Sequence, residues 1–307
     1  MSIGDVYSVA SVPDCHYVDV GLYGRTEYGS VYVYDAERPA VIDTGLGTNP
    51  EHILDALDEV GIGRDELAYV IPTHVHLDHA GGAWVLAEET DATVLAHEAG
   101  VKHLVDPERL WAGTKTAVGD RIEYYTDPEP IPEDRVTALE GGDEIDLGDR
   151  TLDVYHAPGH AFHQAIFHEA EAEAVFAADA AGIYVPELDR VVETSPPPGF
   201  DLEAVIDDAR TIASLDPETI CYGHFGPVAA DGRIEEYVEA TERWVETVEE
   251  LRAEFGDDVE AMAERYLGRA ETPGVWGELS AADEIRMNLQ GVLGYLEKRD
   301  EQGEDGA

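Results

Sequence analysis

The chain has 307 residues, with 67 Asp plus Glu against 19 Lys plus Arg, a net charge of −48. Its 44% hydrophobic content supplies a real core and excludes a disordered acidic tail, while no apolar run approaches the roughly 20 residues that span a bilayer. Such acidity also counts against a nucleic-acid partner, which needs a basic footprint. Self-repulsion of this size calls for screening, and in molar salt the Debye length falls to about 3 Å. With only Lys102, Lys115 and Lys298 as lysines, the composition reads as adaptation to a salt-filled cytoplasm. The opening MSIGDVYSVASVPDC lacks the basic flank and apolar stretch of a signal peptide. Cys15 and Cys221 are too few for a disulfide framework. A cytoplasmic location is expected, with no membrane partner.

In chain order, strands are predicted at 30–36, 39–45, 67–74, 92–98, 150–160, 164–170, 174–180 and 218–224. Most are rich in Val, Ile or Tyr and run into Gly, Pro, Asp or His. Helices are predicted over 50–60, 80–90 and 201–215, the last with Asp201 as N-cap and Leu202, Val205, Ile206, Ala209, Ile212 and Ala213 along one face. Strands mixed with helices imply a layered α/β domain over residues 1–230. Within it, 101–135 reads as the least regular stretch, either a lid or merely mobile. Residues 231–300 read as a helical C-terminal appendage. Ile234, Val238, Thr241, Val245, Val248, Leu251 and Phe255 recur there every three or four positions, and further helices follow near 257–268 and 280–298. The stripe is expected to pack on the α/β body rather than form a dimer seam. Residues 301–307 are expected to fray as a polar tail. No Gly-rich phosphate loop follows a strand.

The chemistry concentrates in Thr73-His74-Val75-His76-Leu77-Asp78-His79, where a β-run ends and a helix begins. Alternation in an extended segment puts His74 and His76 on one side. The chain then turns and sends Asp78 and His79 to a neighbouring point, so one short loop can serve two adjacent metals. Neutral imidazole and carboxylate are ligands that borderline cations such as Zn²⁺ favour. Three later strand ends carry isolated residues of the same types: His160 after Pro158-Gly159, Asp179 after Ala177-Ala178, and His224 after Tyr222-Gly223. Only a folded sheet could bring these to one edge, a common place for a site.

The ordered set THxHxDH, Gly-His, strand-end Asp and Gly-His resembles that of the metallo-β-lactamase fold hydrolases over roughly residues 16–230. Asp43 in Val-Ile-Asp-Thr-Gly matches that superfamily's early DTG element. The resemblance implies a four-layer αββα sandwich. It implies that His74, His76 and His160 hold a first metal, that Asp78, His79 and His224 hold a second, and that Asp179 bridges both. Two Zn²⁺ per chain are expected, with Fe or Mn as the alternatives. Two cations about 3.5 Å apart lower the pKa of a shared water toward neutrality, giving a bridging hydroxide as nucleophile, and polarise the substrate carbonyl or phosphoryl oxygen. Asp78 is expected to orient that nucleophile. Asp43 is expected to support a ligand from behind. His163 either supports a ligand, gates substrate or is a plain surface residue. Tyr184 and Tyr222 are candidate donors to a developing oxyanion. His16, His52, His97, His103, His156 and His168 carry no motif and read as structural or exposed.

Differences between branches of that superfamily narrow the chemistry. True metallo-β-lactamases lack the bridging Asp, so Asp179 points away from antibiotic hydrolysis. Glyoxalase II enzymes share the seven ligands and a helical C-terminal domain, but here the last motif is Gly-His-Phe-Gly, and cations that would grip glutathione are not recognisable. Quorum-sensing lactonases place a Tyr three residues after the bridging Asp, where this chain has Gly182. Ribonuclease Z shares the core motif, but no basic arm for tRNA is present. Pro-Gly-His-Ala-Phe-His (158–163) matches glyoxalase II-like hydrolases of prokaryotes, and the acidity points to a haloarchaeal one. The expected activity is hydrolysis of a small thioester, ester or lactone. The alternative is a persulfide dioxygenase-like oxidoreductase with a single Fe²⁺ on the same scaffold.

Overall fold

A computed structural model of the chain describes residues 1–196, 199–268 and 277–305. Seven short strands, β1 (Val6–Ser8), β2 (Cys15–Asp19), β3 (Ser30–Tyr34), β4 (Ala40–Ile42), β5 (Tyr69–Ile71), β6 (Thr93–His97) and β7 (Val136–Leu139), form one sheet in that order. Pairing is antiparallel from β1 to β4 and parallel from β4 to β7. Then come β8 (Glu144–Asp146), β9 (Thr151–His156), β10 (Ala165–Glu169), β11 (Ala174–Ala178), β12 (Ile183–Val185), β13 (Arg190–Val192), β14 (Thr219–Tyr222) and β15 (Gly226–Ala229). The strands β12 and β13 pair with each other, and the other six form a second sheet in the order β15-β14-β11-β10-β9-β8. The helices are α1 (Glu51–Val60), α2 (Leu77–Ala80), α3 (Ala83–Glu89), α4 (Glu98–Val105), α5 (Glu108–Val118), α6 (Leu202–Ser214), α7 (Arg233–Phe255), α8 (Val259–Leu267) and α9 (Gly277–Asp305).

The two-residue period of the strands turns this order into layers. On β3, Val31 and Val33 share a core with Ile53 and Leu57 of α1 and Leu86 of α3. Tyr32 and Tyr34 point the other way, between the sheets, and meet Phe176 of β11 edge-on. On β14, Cys221 joins that central core. Its neighbours Ile220 and Tyr222 face a third core with Val205 and Ile212 of α6, Trp244 and Val248 of α7, and Leu289 and Val292 of α9. The result is helix, sheet, sheet, helix, the αββα sandwich. The C-terminal helices share a core with the second sheet, so the stripe read from α7 packs on the α/β body.

Three expectations need correction. Residues 98–124 are largely helical, as α4, α5 and a 3₁₀ stretch over Gly119–Tyr124. The α5 stripe is weak because only Val118 of that helix is buried, so periodicity could not reveal it. The helix predicted over 80–90 is two pieces separated at Gly81 and Gly82. A Cβ on Gly81 would lie 2.6 Å from the carbonyl carbon of Leu46, and one on Gly82 2.6 Å from the Thr44 carbonyl oxygen. The β4–α1 loop therefore presses directly on the ligand-bearing turn, which only glycine permits. The tail does not begin at 301, because α9 continues to Asp305. Pro197 and Pro198 of the 195–199 loop lie outside the described residues. Among the described residues, no helix is long and apolar enough to cross a membrane.

Candidate metal centre

The seven residues singled out in the sequence meet at one edge of the sandwich. The segment after β5 carries His74 and His76, the latter in extended backbone at the start of α2, and α2 then presents Asp78 and His79. His160 follows β9, Asp179 directly follows β11, and His224 follows β14. Three overlapping groups result, each with ligand atoms within 4.8 Å of one another: His74, His76 and His160; His74, His79 and Asp179; and Asp78, His79 and His224. His74 Nε2 and His160 Nε2 lie 3.0 and 3.1 Å from His76 Nδ1, and His79 Nε2 lies 3.2 Å from His224 Nε2. Asp179 sits between the two sides, with Oδ2 3.1 Å from His160 Nε2 and 3.5 Å from His79 Nε2, and Oδ1 3.6 Å from His224 Nε2.

The rings are held from behind. His79 Nδ1 is 2.9 Å from Asp43 Oδ2 and His160 Nδ1 is 2.8 Å from Thr194 Oγ1. His224 Nδ1 donates to the Tyr28 carbonyl at 2.8 Å, and His74 Nδ1 lies 3.2 Å from Thr73 Oγ1. An imidazole that donates through Nδ1 keeps a bare Nε2 lone pair, so these contacts aim lone pairs into the centre. Asp43 is itself clamped. Its Oδ1 accepts from the Thr73 amide and hydroxyl, both at 2.8 Å, and its backbone is left-handed, with φ 62°. Asp tolerates that conformation better than most side chains, and strain of this kind gathers at functional sites.

Charge divides the cluster into two sides. Burial pushes His74 and His76 below their ordinary range and takes His160 down to about 3, so the three-histidine side is neutral. On the other side burial is outweighed. Asp43, Asp179 and Asp78 hold His79 well above its ordinary value, and Asp179 with Asp78 raises His224. Burial likewise fails to raise the two carboxyls, because His79 and His224 hold Asp78 down, and His160, His79 and His224 hold Asp179 down. Asp179 Oδ1 is buried without a hydrogen-bond partner. A buried carboxylate oxygen without a donor, beside lone pairs about 3 Å apart, demands positive charge. Tetrahedral coordination with bonds of about 2.0–2.1 Å puts ligand atoms about 3.3 Å apart, close to the spacing seen here. The residues fit a divalent metal.

A cavity of about 330 Å³ opens above the cluster, with His76, Asp78, His160, Asp179 and His224 in its floor. Residues of α4, α5 and α9 roof it, among them Leu110, Val118 and Met287. His163 lines it too. It is buried, takes the Val75 amide on Nδ1 at 3.5 Å, and stands edge-on to the His76 ring at 5.3 Å. Burial, reinforced by His76 and His103, pushes it down to about 2, so it is neutral with its proton on Nε2. His103, read as structural or exposed, also lines the cavity.

The two tyrosines are not brought to the site. Tyr222 is fully buried in the outer helical core, because alternation on β14 turns it away from the edge that His224 reaches. The Tyr184 hydroxyl donates to Asp189 at 2.9 Å. Several supporting residues carry no sequence signal. Thr194 belongs to an unremarkable Glu-Thr-Ser stretch. Asp208 Oδ2 accepts from the Gly159 amide at 2.6 Å, beside His160. Ser195 is tied to α9 by its amide to Asn288 Oδ1 at 3.1 Å, and to α7 by the Trp244 Nε1 donor at 3.0 Å.

Two sheets that meet at a buried His/Asp cluster beneath a cavity define an αββα protein with a candidate metal centre. The chain belongs to the metallo-beta-lactamase superfamily, whose sequence profile matches residues 24–224. It is 28% identical over 222 residues to the metallo-beta-lactamase fold-containing protein ST1585 of Sulfurisphaera tokodaii, covering 70% of this chain and 79% of that one. The crystal structure of ST1585 superposes with a TM-score of 0.72 at 24% identity, over 92% of this chain and 99% of that one. The acyl-coenzyme A thioesterase MBLAC2 of Bos taurus is 32% identical over 165 residues, 48% of this chain and 56% of that enzyme. A hydroxyacylglutathione hydrolase of Hyphomonas neptunium is 27% identical over 199 residues, 64% of each chain.

Proposed function

We propose that the chain is a dinuclear metal-dependent hydrolase of a small-molecule acyl thioester, with esters and lactones as the neighbouring substrates, working in a salt-rich cytoplasm. The observation that carries this reading is the position of Asp179, its two oxygens shared between two donor sets at the floor of one cavity. His74, His76 and His160 would hold one ion and Asp78, His79 and His224 the other, with zinc the metal that suits such donors. The relatives named as an acyl-coenzyme A thioesterase and a hydroxyacylglutathione hydrolase support a thioester.

When bound, two such ions activate a water for attack and polarise the acyl carbonyl. The chain's own residues do the rest. Asp78, with 24% of its side chain exposed and facing the cavity, would accept a hydrogen bond from the attacking water and orient it toward the acyl carbon. The Nε2–H of His163 can donate a hydrogen bond to the substrate oxygen. Asp43, Thr194 and the Tyr28 carbonyl keep the imidazoles from turning as charge develops. The apolar roof excludes competing water.

Elemental analysis of the purified chain, followed by a thioester and lactone panel, tests this. Two zinc ions per chain with thioester turnover is the expected result. A single iron per chain with oxygen uptake would replace the hydrolase with the dioxygenase reading. Failure to retain metal after reconstitution would overturn both.

A further inference from the structure

The roof of the cavity carries a charge pattern that the metal centre does not use. With 67 carboxylates against 19 Lys plus Arg, most of the described arginines pair with an acid. Arg64 lies 2.6 Å from Glu89, Arg38 2.7 Å from Asp146, and Arg121, at the cavity wall, 3.2 Å from Glu284. Lys102 on α4 and Arg109 on α5 make no such pair, as is also true of Lys115, Arg135 and Arg190 among the described residues, but these two stand at the cavity. Both line the cavity and both are exposed, which places them at its mouth. Among the described residues neither has a carboxylate partner. Lys102 Nζ stands 5.9 Å over the ring of Phe162, which is 49% exposed on the same rim. From mouth to floor the wall is largely apolar, and the floor is the His/Asp cluster.

We propose that Lys102 and Arg109 form an anion subsite that takes the charged end of the substrate's leaving group while the scissile carbonyl lies at the floor. The inference rests on the hydrolase reading and names its substrate class more closely, as a thioester whose thiol carrier bears phosphate or carboxylate groups. A chain of net charge −48 repels anions at long range, so an anionic substrate needs direct, contact-range cations at the entrance. A lysine and an arginine with no carboxylate partner among the described residues supply them. Phe162 adds a flat apolar face beside the charge. Phosphates of a coenzyme A thioester and carboxylates of a glutathione thioester share this chemistry.

Three substrates separate the sources: acetyl-coenzyme A, S-lactoylglutathione, and the neutral acetyl thioester of N-acetylcysteamine. The wild-type chain is compared with Lys102→Gln, Arg109→Gln and the double variant, with metal content measured on each. In the double variant, kcat/KM for the preferred anionic substrate relative to the neutral one should fall on the order of tenfold or more, mainly through KM, as expected for loss of charge-assisted contacts. The substrate whose advantage disappears identifies the anion. An unchanged ratio for both anionic substrates overturns the proposal. Titration with S-methyl-coenzyme A and S-methylglutathione, which cannot be hydrolysed, separates this inference from the hydrolase reading. If no thioester is turned over but one analogue binds the wild type and loses about tenfold in the double variant, the subsite stands and the hydrolase reading falls. Equal binding by both proteins removes the subsite.

Discussion

The floor and the roof of the cavity are built on opposite principles. In the floor, five imidazoles and two carboxylates come from four strand ends, and four of the rings are fixed by an outer contact to Thr73, Asp43, Thr194 or the Tyr28 carbonyl. Those four rings cannot turn without breaking a buried hydrogen bond, so their geometry is set before any ligand arrives. The roof, α4, α5 and α9, is helical and mixes apolar residues such as Leu110, Val118 and Met287 with Lys102, His103, Arg109 and Glu284. On the proposed hydrolase reading, the contrast assigns the reaction type to the floor and the selection of substrate to the roof.

Substitutions can break or sharpen that division. The largest effect is expected for Asp179→Ala, which removes the carboxylate between the two donor sets. Metal analysis should show at least one ion lost per chain, and turnover should fall on the order of a thousandfold. Two retained ions with full activity would dissolve the idea of a shared floor. Next comes Asp43→Ala, which frees the His79 ring and unpairs the Thr73 amide. A loss of about 10- to 100-fold in metal affinity or kcat is expected for such a supporting residue, measured by competition with a chelator.

Gly291→Ala tests whether roof and floor are independent. A Cβ there would lie 1.6 Å from the Ser195 carbonyl oxygen, so the 194–195 segment must move and carry Thr194 away from His160. Metal retention should weaken by about tenfold along with a lower Tm, a smaller effect than Asp43→Ala because Thr194 can partly recover. Unchanged affinity would show that α9 supports only the fold. The smallest effect is expected for Asp208→Asn. Burial raises the Asp208 carboxyl to about 7, against the lowering effect of the Gly159 amide. The folded chain therefore holds this proton where the unfolded chain, with an ordinary carboxyl near 3.8, has released it. Stability from this group is present at low pH, declines as pH rises from about 4 to about 7, and is flat above. Denaturant melts across that range should show a shallower decline for Asp208→Asn than for the wild type, and parallel curves would remove the group from the account.

Much of the floor was legible because four of its residues are contiguous. His74, His76, Asp78 and His79 gain their arrangement from a strand running into a short helix, and local stereochemistry dictates that. The three remaining residues could be proposed only as isolated strand ends, matched in order to a known superfamily. Their supports escaped notice altogether. Tyr28 acts through its carbonyl, which any residue has, and Asp208 lies 49 residues from the amide it holds. The tyrosines were misplaced for a related reason. Proximity in sequence put Tyr222 beside His224, but Tyr222 is the last residue of β14 and points where the pleat sends it.

The sequence by itself determined the alternation that makes two-faced strands, the metal-type residues at their ends and the acid excess of the whole chain. These depend on local geometry and composition, which neighbours along the chain decide. Only the tertiary structure decided that His160, Asp179 and His224 share one floor with the 74–79 segment and that α9 reaches the His160 loop through Ser195. It also decided that Lys102 and Arg109 come together at the mouth. Each is a meeting of segments far apart in the chain, selected by the packing of two sheets and their helices, and such meetings leave no periodic trace in the order of residues.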